Sequence, residues 1–292
     1  MISFRQHVVT LVAVFLALAV GVVLGGGPLS EVGRDALTST SAKPKARQGD
    51  PASAFGDAFA TAAAPRLYDE QLAGRSVALV SLPGADERVI QGLVGQIEHA
   101  AGTLEGKYLL QPGLVDPGEK SLVDTLGSQL MTQLDSGAAN EDSPTYERMG
   151  QLLGTAIATE EKSGAGAGQE PMSIRQSLAG AELVVSPGSN PGRAPLVLVV
   201  LGDEVDDDII GGLLSGLASR AVGVVVAGDT RSGANGDLAA LRARPEAGRL
   251  TTVDGVELAV GQVTTALALV RSLSEKGGSF GASGSDGAAP LR

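Results

Sequence analysis

The chain has 292 residues and a formal net charge of −11 at pH 7, with no Cys, no Trp and only 3% aromatic residues. This length is enough for one well-buried α/β core or two small ones. The negative charge argues against a nucleic-acid partner, and the lack of Cys excludes disulfides, thiol catalysis and thiolate metal sites.

An uninterrupted apolar segment lies at the N-terminus. Residues 6–30 contain no Asp, Glu, Lys or Arg, and about twenty residues at helical rise span the hydrocarbon core of a bilayer, about 30 Å. The segment exceeds the roughly 7–15 apolar residues of a signal peptide, and Pro28 is poorly placed for cleavage. We therefore predict an uncleaved, single-pass transmembrane anchor over residues 1–30, with the rest of the chain extracytoplasmic. A cleaved signal peptide is the alternative.

One face of the predicted anchor carries small residues four positions apart, namely Ala13, Ala17, Gly21 and Gly25. Such spacing lets two helices approach closely in lipid. We interpret this face as a contact with another membrane protein or with a second copy of the chain. The alternative is that small residues are simply frequent in a chain with 41 Gly.

The composition after the anchor changes twice. Residues 31–74 are predicted to form a polar juxtamembrane linker and then a short helix, which begins at Asp50-Pro51, carries Phe55 and Phe59 at helical spacing and ends at Pro65. Residues 277–292 are rich in Gly and Ser, which predicts disorder. Between these segments, residues 75–276 alternate predicted strands and helices.

The predicted strands are continuous apolar runs. They cover residues 76–82, 107–110, 182–186, 195–201, 221–227 and 250–253. The predicted helices cover residues 86–101, 118–134, 144–162, 174–181, 206–219, 238–244 and 260–275. Continuous apolar strands are typical of parallel sheets that helices cover on both faces. We therefore predict a Rossmann-like, doubly wound α/β domain.

Motifs for dinucleotide binding and nucleophilic catalysis are missing from their expected positions. Pro83-Gly84-Ala85 follows the first strand in place of G-x-G-x-x-G, and the glycine-rich run at 164–168 follows a helix. His7 lies at the predicted membrane edge and His99 near the end of a helix, so no nucleophile–base pair is recognisable. We predict no catalytic residue, no metal ligand and no cofactor.

Polar side chains collect at the carboxyl ends of the predicted strands. We call Asp203, Asp229, Arg231 and Asp254 the strand-end rim, because ligands bind at this edge of parallel sheets. The rim predicts a small-molecule or peptide pocket, or an enzyme with Asp203 and Asp229 as acid and base; a rim without a ligand is the simpler alternative. The acidic run at 203–208 has two interpretations, a hard-cation site or the capped start of a helix.

Three stretches resemble the actinobacterial copper transport protein B (MctB) family. They are MISFRQHVVTLVAVFLALAVGVVLGGGPLS, AFGDAFATAAAPRLYDEQLAGRSVALVSLPGADE, and VDGVELAVGQVTTALALV followed by SFG. The resemblance implies an actinobacterial cell-envelope protein with a role in copper homeostasis, in a family described as an outer-membrane channel. It also implies an alternative role, as a membrane-anchored interaction partner in a complex that controls cell-wall hydrolysis and cell separation.

Two features of the chain differ from the family pattern. Family members usually carry a heptad-rich helix after the anchor, whereas residues 31–50 are polar and contain proline. Copper ligands are also few. Cu(I) prefers Cys and Met, and Cu(II) prefers His, but the chain offers only its two His and the scattered Met131, Met149 and Met172 beyond its first residue. The residues themselves predict no copper site. We therefore predict a non-enzymatic membrane protein whose copper role is implied by the family alone.

Overall fold

The computed structural model describes residues 51–134, 137–187 and 191–291. The predicted anchor, with its small-residue face, and the linker up to residue 50 lie outside these ranges. Among the described residues, no helix combines the length and the apolar character that a membrane crossing requires.

A mostly parallel sheet forms the centre of the fold. Its strands are β1 (Ser76–Ser81), β2 (Thr103–Leu110), β3 (Val184–Val185), β4 (Leu196–Val200), β5 (Gly223–Gly228), β6 (Thr251–Asp254) and β7 (Gly278–Phe280). They are arranged in the order β3-β2-β1-β4-β5-β6-β7, and every neighbouring pair is parallel except β2 and β3. The predicted α/β class with a parallel sheet is confirmed, with one antiparallel strand at the edge.

Helices connect the strands. They are α1 (Pro51–Tyr68), α2 (Glu87–His99), α3 (Pro112–Val115), α4 (Lys120–Gln133), α5 (Thr145–Ile157), α6 (Gln169–Gly180), α7 (Asp207–Ala218), α8 (Thr230–Asn235), α9 (Asp237–Arg242) and α10 (Ala259–Arg271), with 3₁₀ turns at Pro117–Glu119 and Pro245–Arg249. Successive residues of a strand point to opposite faces, so the central strands β1, β4 and β5 contribute to two apolar cores. One core includes residues of α1, α2 and α10, and the other includes residues of α4 to α7 and α9. Burial of the strands on both faces explains their continuous apolar runs.

Helices α5 and α7 lie in direct backbone contact. Gly150 and Gly154 on α5, like Gly212 and Gly216 on α7, are four positions apart. A Cβ atom at Gly216 would overlap the carbonyl oxygen of Glu147, and one at Gly150 would overlap that of Leu213. Glycine is therefore required for this close approach. The two helices run in the same direction, which places both of their N-termini at the carboxyl-end edge of the sheet.

The first described helix is longer than predicted. Helix α1 continues through Pro65 to Tyr68, because a stripe four positions apart, Ala60, Ala64 and Tyr68, packs against the core. The Asp57 carboxylate accepts a hydrogen bond from the backbone N–H of Ala259, 2.9 Å away, and so joins α1 to the start of α10. Phe55 and Phe59 lie on the outer side of α1.

The structure differs from the disorder predicted for residues 277–292. Residues 278–280 form β7 beside β6, and the backbone N–H of Ser279 donates to the Asp286 carboxylate at 2.7 Å. The glycines are used for turns in this segment, since Gly277, Gly278, Gly281 and Gly287 all have positive φ. Composition alone does not distinguish such a series of turns from a disordered tail.

Candidate functional site

The structure brings three of the four rim residues together. Asp203, Asp229 and Arg231 line a cavity of about 360 Å³ that Glu204 and Asp237 also line. Asp203 follows β4, whereas Asp229 and Arg231 follow β5, so the ends of two neighbouring parallel strands position these side chains. The cavity therefore lies at the edge of the sheet where the strand ends predicted it.

The crevice at the carboxyl ends of β1 and β4 is closed to ligands. The sheet order reverses there, and open α/β sheets usually bind ligands in that crevice. The backbone N–H of Asp203 donates to the carbonyl of Pro83 at 2.8 Å. A Cβ atom at Gly84 would overlap the Asp203 carboxylate, and one at Gly202 would overlap the Pro83 carbonyl. The two loops fill the crevice with their own backbone, which leaves the space between β4 and β5 as the rim cavity.

Two acidic residues of this region cap helices. The Asp229 carboxylate accepts from the backbone N–H of Ser232 at 2.7 Å, at the start of α8. The Asp206 carboxylate accepts from Asp208 N at 3.0 Å and Ile209 N at 3.3 Å, at the start of α7. The capping interpretation of the acidic run is therefore confirmed for Asp206. Across residues 51–134, 137–187 and 191–291, no group of three or more His, Cys, Asp or Glu is arranged to hold a metal ion.

Asp254 does not belong to the rim cavity. Its side chain is 0% exposed and forms an ion pair with Arg242, whose side chain is 11% exposed, at 2.9 Å. The carboxylate also accepts from the backbone N–H and the hydroxyl of Ser283, at 2.9 and 3.0 Å. The ordered C-terminal segment covers the end of β6, so the prediction that placed Asp254 among the accessible rim residues is corrected.

Asp237 is the rim-cavity residue with a perturbed carboxyl group. Burial raises its pKa, and the nearby carboxylates of Glu204 and Asp207 raise it further, although a hydrogen bond from the backbone N–H of Val205 at 3.0 Å opposes the shift. Arg231 contributes little compensation, because its ion pair with Glu204 is 3.8 Å long and both side chains are exposed. The sequence analysis missed Asp237, which enters the cavity from the start of α9 and not from a strand end.

A larger groove, of about 1200 Å³, lies beside the edge strand β3. Its walls come from β3, α3, α4 and α6, and they include the exposed Leu122 and Val185 and the polar Gln111 and Gln176. Arg175 also lines the groove, and its buried guanidinium donates to the Pro191 carbonyl at 2.9 Å. The sequence analysis did not find this groove, because its residues come from four separate elements.

Helix α1 presents a second exposed apolar feature. Phe55 is 74% exposed and Phe59 is 67% exposed, and they are one helical turn apart on the side away from the core. We call this pair the α1 phenylalanine face. Two neighbouring exposed aromatic rings are unusual in a chain with so few aromatics.

The fold and its cavities define the class of protein. It is an α/β domain with polar and apolar recesses at its sheet edges, and two of its rim carboxylates, Asp229 and Asp254, are engaged in a helix cap and an ion pair. The chain matches the family model "Copper transport outer membrane protein, MctB" over residues 1–291. It therefore belongs to the MctB family, as the three stretches of sequence indicated.

Mycobacterial relatives are similar over almost their whole length. The protein "Copper transporter MctB" of Mycobacterium leprae (strain TN) is 30% identical over 307 residues, which cover 94% of each chain. The protein of the same name from Mycobacterium tuberculosis (strain ATCC 25618 / H37Rv) is 28% identical over 301 residues, which cover 92% of each chain. The family is thus named for copper transport and not for an enzymatic activity.

The soft donor atoms of the described chain are dispersed. His99 is exposed at the end of α2, and Met149 is buried in the core on the other side of the sheet. Met131 lies on α4 and Met172 on α6. A copper site needs such donors from neighbouring positions, and these four residues lie on four different helices.

Proposed function

We propose that this chain is a copper-related protein of the cell envelope that acts by binding and not by catalysis. In this proposal, a single N-terminal span holds the α/β domain outside the cytoplasm. The observation that carries the proposal is the match to the copper-transport family over residues 1–291, with relatives named as copper transporters that align over more than nine-tenths of their length.

The state of the rim supports a non-catalytic role. Acid–base catalysis needs a group that is free to exchange a proton with a substrate. Asp254 is buried in an ion pair, and Asp229 is occupied as a helix cap. Asp203 lines the rim cavity, so the acid–base pair predicted from Asp203 and Asp229 has only one free member. Replacement of both Asp203 and Asp229 by Ala should therefore leave the cellular phenotype unchanged if the protein remains folded.

The dispersed soft donors support an indirect copper role, in which a partner protein supplies the metal contact. The test is a deletion strain complemented with the wild-type chain or with a variant that combines His99→Ala with Leu at Met131, Met149 and Met172. We expect deletion to change copper tolerance and cell copper content, and both chains to restore them equally. A deletion that changes neither copper tolerance nor cell copper content would refute the copper role. A stably expressed variant that fails to restore them would refute the proposal that a partner protein supplies the metal contact.

The topology has its own test. Protease digestion of intact cells and of inverted vesicles should cleave the α/β domain from the outside only, with the anchor retained in the membrane fraction. Recovery of a mature polypeptide that begins after Pro28 in the soluble fraction would support the cleaved-signal alternative.

A second candidate function is a membrane-anchored interaction partner in the control of cell-wall hydrolysis and cell separation. The exposed α1 phenylalanine face favours it, because such pairs of exposed rings mark contact surfaces. A photo-crosslinking residue at Phe59 should capture a discrete membrane partner, whereas the same residue at the exposed Thr61 on another side of α1 should not. Equal capture at both positions would argue against a contact at this face, and separated daughter cells in the deletion strain would argue against the role.

A further inference from the structure

A third cavity, of about 540 Å³, lies where the N-termini of α5 and α7 meet. This volume is within the range of small-molecule sites. The glycine contact between the two helices builds the cavity, since Gly212 allows the Cβ atom of Tyr146 to approach the α7 backbone. Pro117, Pro144 and Ile209 supply apolar wall surface. We call this space the α5–α7 cavity.

Buried polar atoms without hydrogen-bond partners are concentrated around the α5–α7 cavity. Tyr146 is only 8% exposed. Its Oη, the Nε of Arg244 and one carboxylate oxygen of Glu246 are buried, and none has a hydrogen-bond partner anywhere in residues 51–134, 137–187 and 191–291. All three residues line the cavity. Buried polar groups without partners are costly, so their presence around one cavity points to a ligand that satisfies them.

Other polar groups in the wall are already engaged. Asp206 caps α7, and Arg244 donates through its Nη2 to the Asp208 carboxylate at 2.8 Å. The Lys120 ammonium donates to the Thr145 hydroxyl at 3.2 Å. The buried wall atoms without a hydrogen-bond partner are therefore a phenol oxygen, an N–H donor and a carboxylate oxygen. Burial and the charges of Asp206 and Asp116 raise the pKa of Tyr146, so its phenol stays protonated.

The arrangement of these three buried atoms indicates the class of ligand. Nε of Arg244 and Oε2 of Glu246 form an ion pair at 3.6 Å, a separation too long for a hydrogen bond between them. A hydroxyl oxygen beside this pair can accept from the first atom and donate to the second. Tyr146 lines the same cavity and offers its phenol to a further hydroxyl. Carboxylates in the wall outnumber cations, since Glu147, Asp206, Asp208 and Glu246 face only Lys120 and Arg244, and this disfavours an anion.

We propose that the α5–α7 cavity binds a neutral saccharide. Its hydroxyls bridge Arg244 and Glu246 and accept from the Tyr146 phenol, while its C–H groups lie against the proline and isoleucine walls. The proposal is independent of a copper role, because it rests on a cavity formed by other residues.

The test uses the full chain in lipid nanodiscs, because the sugar headgroups of alkyl glycoside detergents would compete. D-glucose and N-acetyl-D-glucosamine are the probes, and D-glucose 6-phosphate is the anionic control. Isothermal titration and saturation-transfer NMR should detect at least one neutral sugar with millimolar affinity or better, and the phosphate ester should bind more weakly than glucose.

Two cavity variants and one control make the test specific. Tyr146→Phe removes a single oxygen and should weaken sugar binding roughly tenfold, and Glu246→Gln should weaken it similarly. Tyr68→Phe is the control, because it removes a buried phenol oxygen that bonds to Gln96 at a distant site, and it should leave sugar affinity unchanged. A lack of binding by both neutral sugars, or binding that neither cavity variant weakens, would overturn the proposal and assign the cavity to water alone.

Discussion

The Asp254 carboxylate and the Arg242 guanidinium form a buried ion pair, 2.9 Å apart, at the end of β6. The same guanidinium donates to the Phe280 carbonyl at 2.9 Å, and Ser283 donates to the same carboxylate. The pair thus connects α9, β6 and the C-terminal segment. The position of Asp254 at a strand end predicted a ligand-binding residue, but in the structure Asp254 holds the segment that contains the edge strand β7.

Loss of this carboxylate should destabilise the domain. Asp254→Ala leaves the Arg242 charge buried without its counter-ion, and breaking such a pair costs about 3–5 kcal/mol. Urea unfolding followed by circular dichroism measures the change. Arg231→Ala is the matched control, because the ion pair of Arg231 with Glu204 is exposed at the surface, and it should unfold like the wild type. Equal stability of the Asp254→Ala variant and the wild type would show that the C-terminal segment is not held by this pair.

The contact of α5 with α7 should not tolerate a side chain at Gly216. A methyl group there would overlap the Glu147 carbonyl and the backbone of Gly150. Gly216→Ala should therefore cost about 1–3 kcal/mol or more, as overpacking does. On α2, nothing lies within 4 Å of a Cβ at Gly95, so Gly95→Ala should stabilise the protein by about 0.5–1 kcal/mol. Thermal unfolding measures the Tm of both variants: Gly216→Ala should lower it and Gly95→Ala should raise it. A change of Tm in the same direction for both variants would contradict this prediction.

The sequence predicted the interior of the sheet and the edge strand β3, but not the opposite edge strand β7. The apolar runs of β1, β4 and β5 were placed to within one or two residues, since burial on both faces leaves a continuous pattern. Strand β7 and helix α8 are short and rich in Gly or Ser, and they depend on tertiary contacts such as the Ser279–Asp286 bond. No local pattern encodes such contacts.

The candidate site was also predicted only in part from the sequence. Parallel strand ends predicted that Asp203, Asp229 and Arg231 would be neighbours. The burial of Asp254 depends on Ser283, which is 29 residues away in the sequence. The α5–α7 cavity depends on a helix crossing that the glycine spacing in α5 and α7 could have suggested. The sequence analysis applied that spacing rule only to the predicted anchor.

All tyrosines of the chain should ionise late. The chain has three, and burial raises the pKa of Tyr68 to about 12 and also raises those of Tyr108 and Tyr146. The folded state thus holds the phenol protons more tightly than the unfolded state, so stability should fall as pH rises above about 10, the ordinary phenol pKa. Phenolate absorbance in an alkaline titration measures this. Full ionisation near pH 10 with native circular dichroism retained would contradict the burial of these side chains.

Removal of the Asp237 charge should stabilise the protein near neutral pH. Its folded pKa is raised, so the folded state binds more protons than the unfolded state between the ordinary carboxyl pKa, near 3.9, and the raised value. Stability is therefore lost as pH rises through that window.

Asp237→Asn keeps an oxygen that can accept from the backbone N–H of Val205 and removes the repulsion with Glu204 and Asp207. The variant should be more stable than the wild type at pH 7, and the difference should shrink below pH 4, where the wild-type carboxyl is protonated in both states. Urea unfolding at several pH values measures this difference, and a variant less stable than the wild type at pH 7 would mean that the rim cavity stabilises the charged carboxylate.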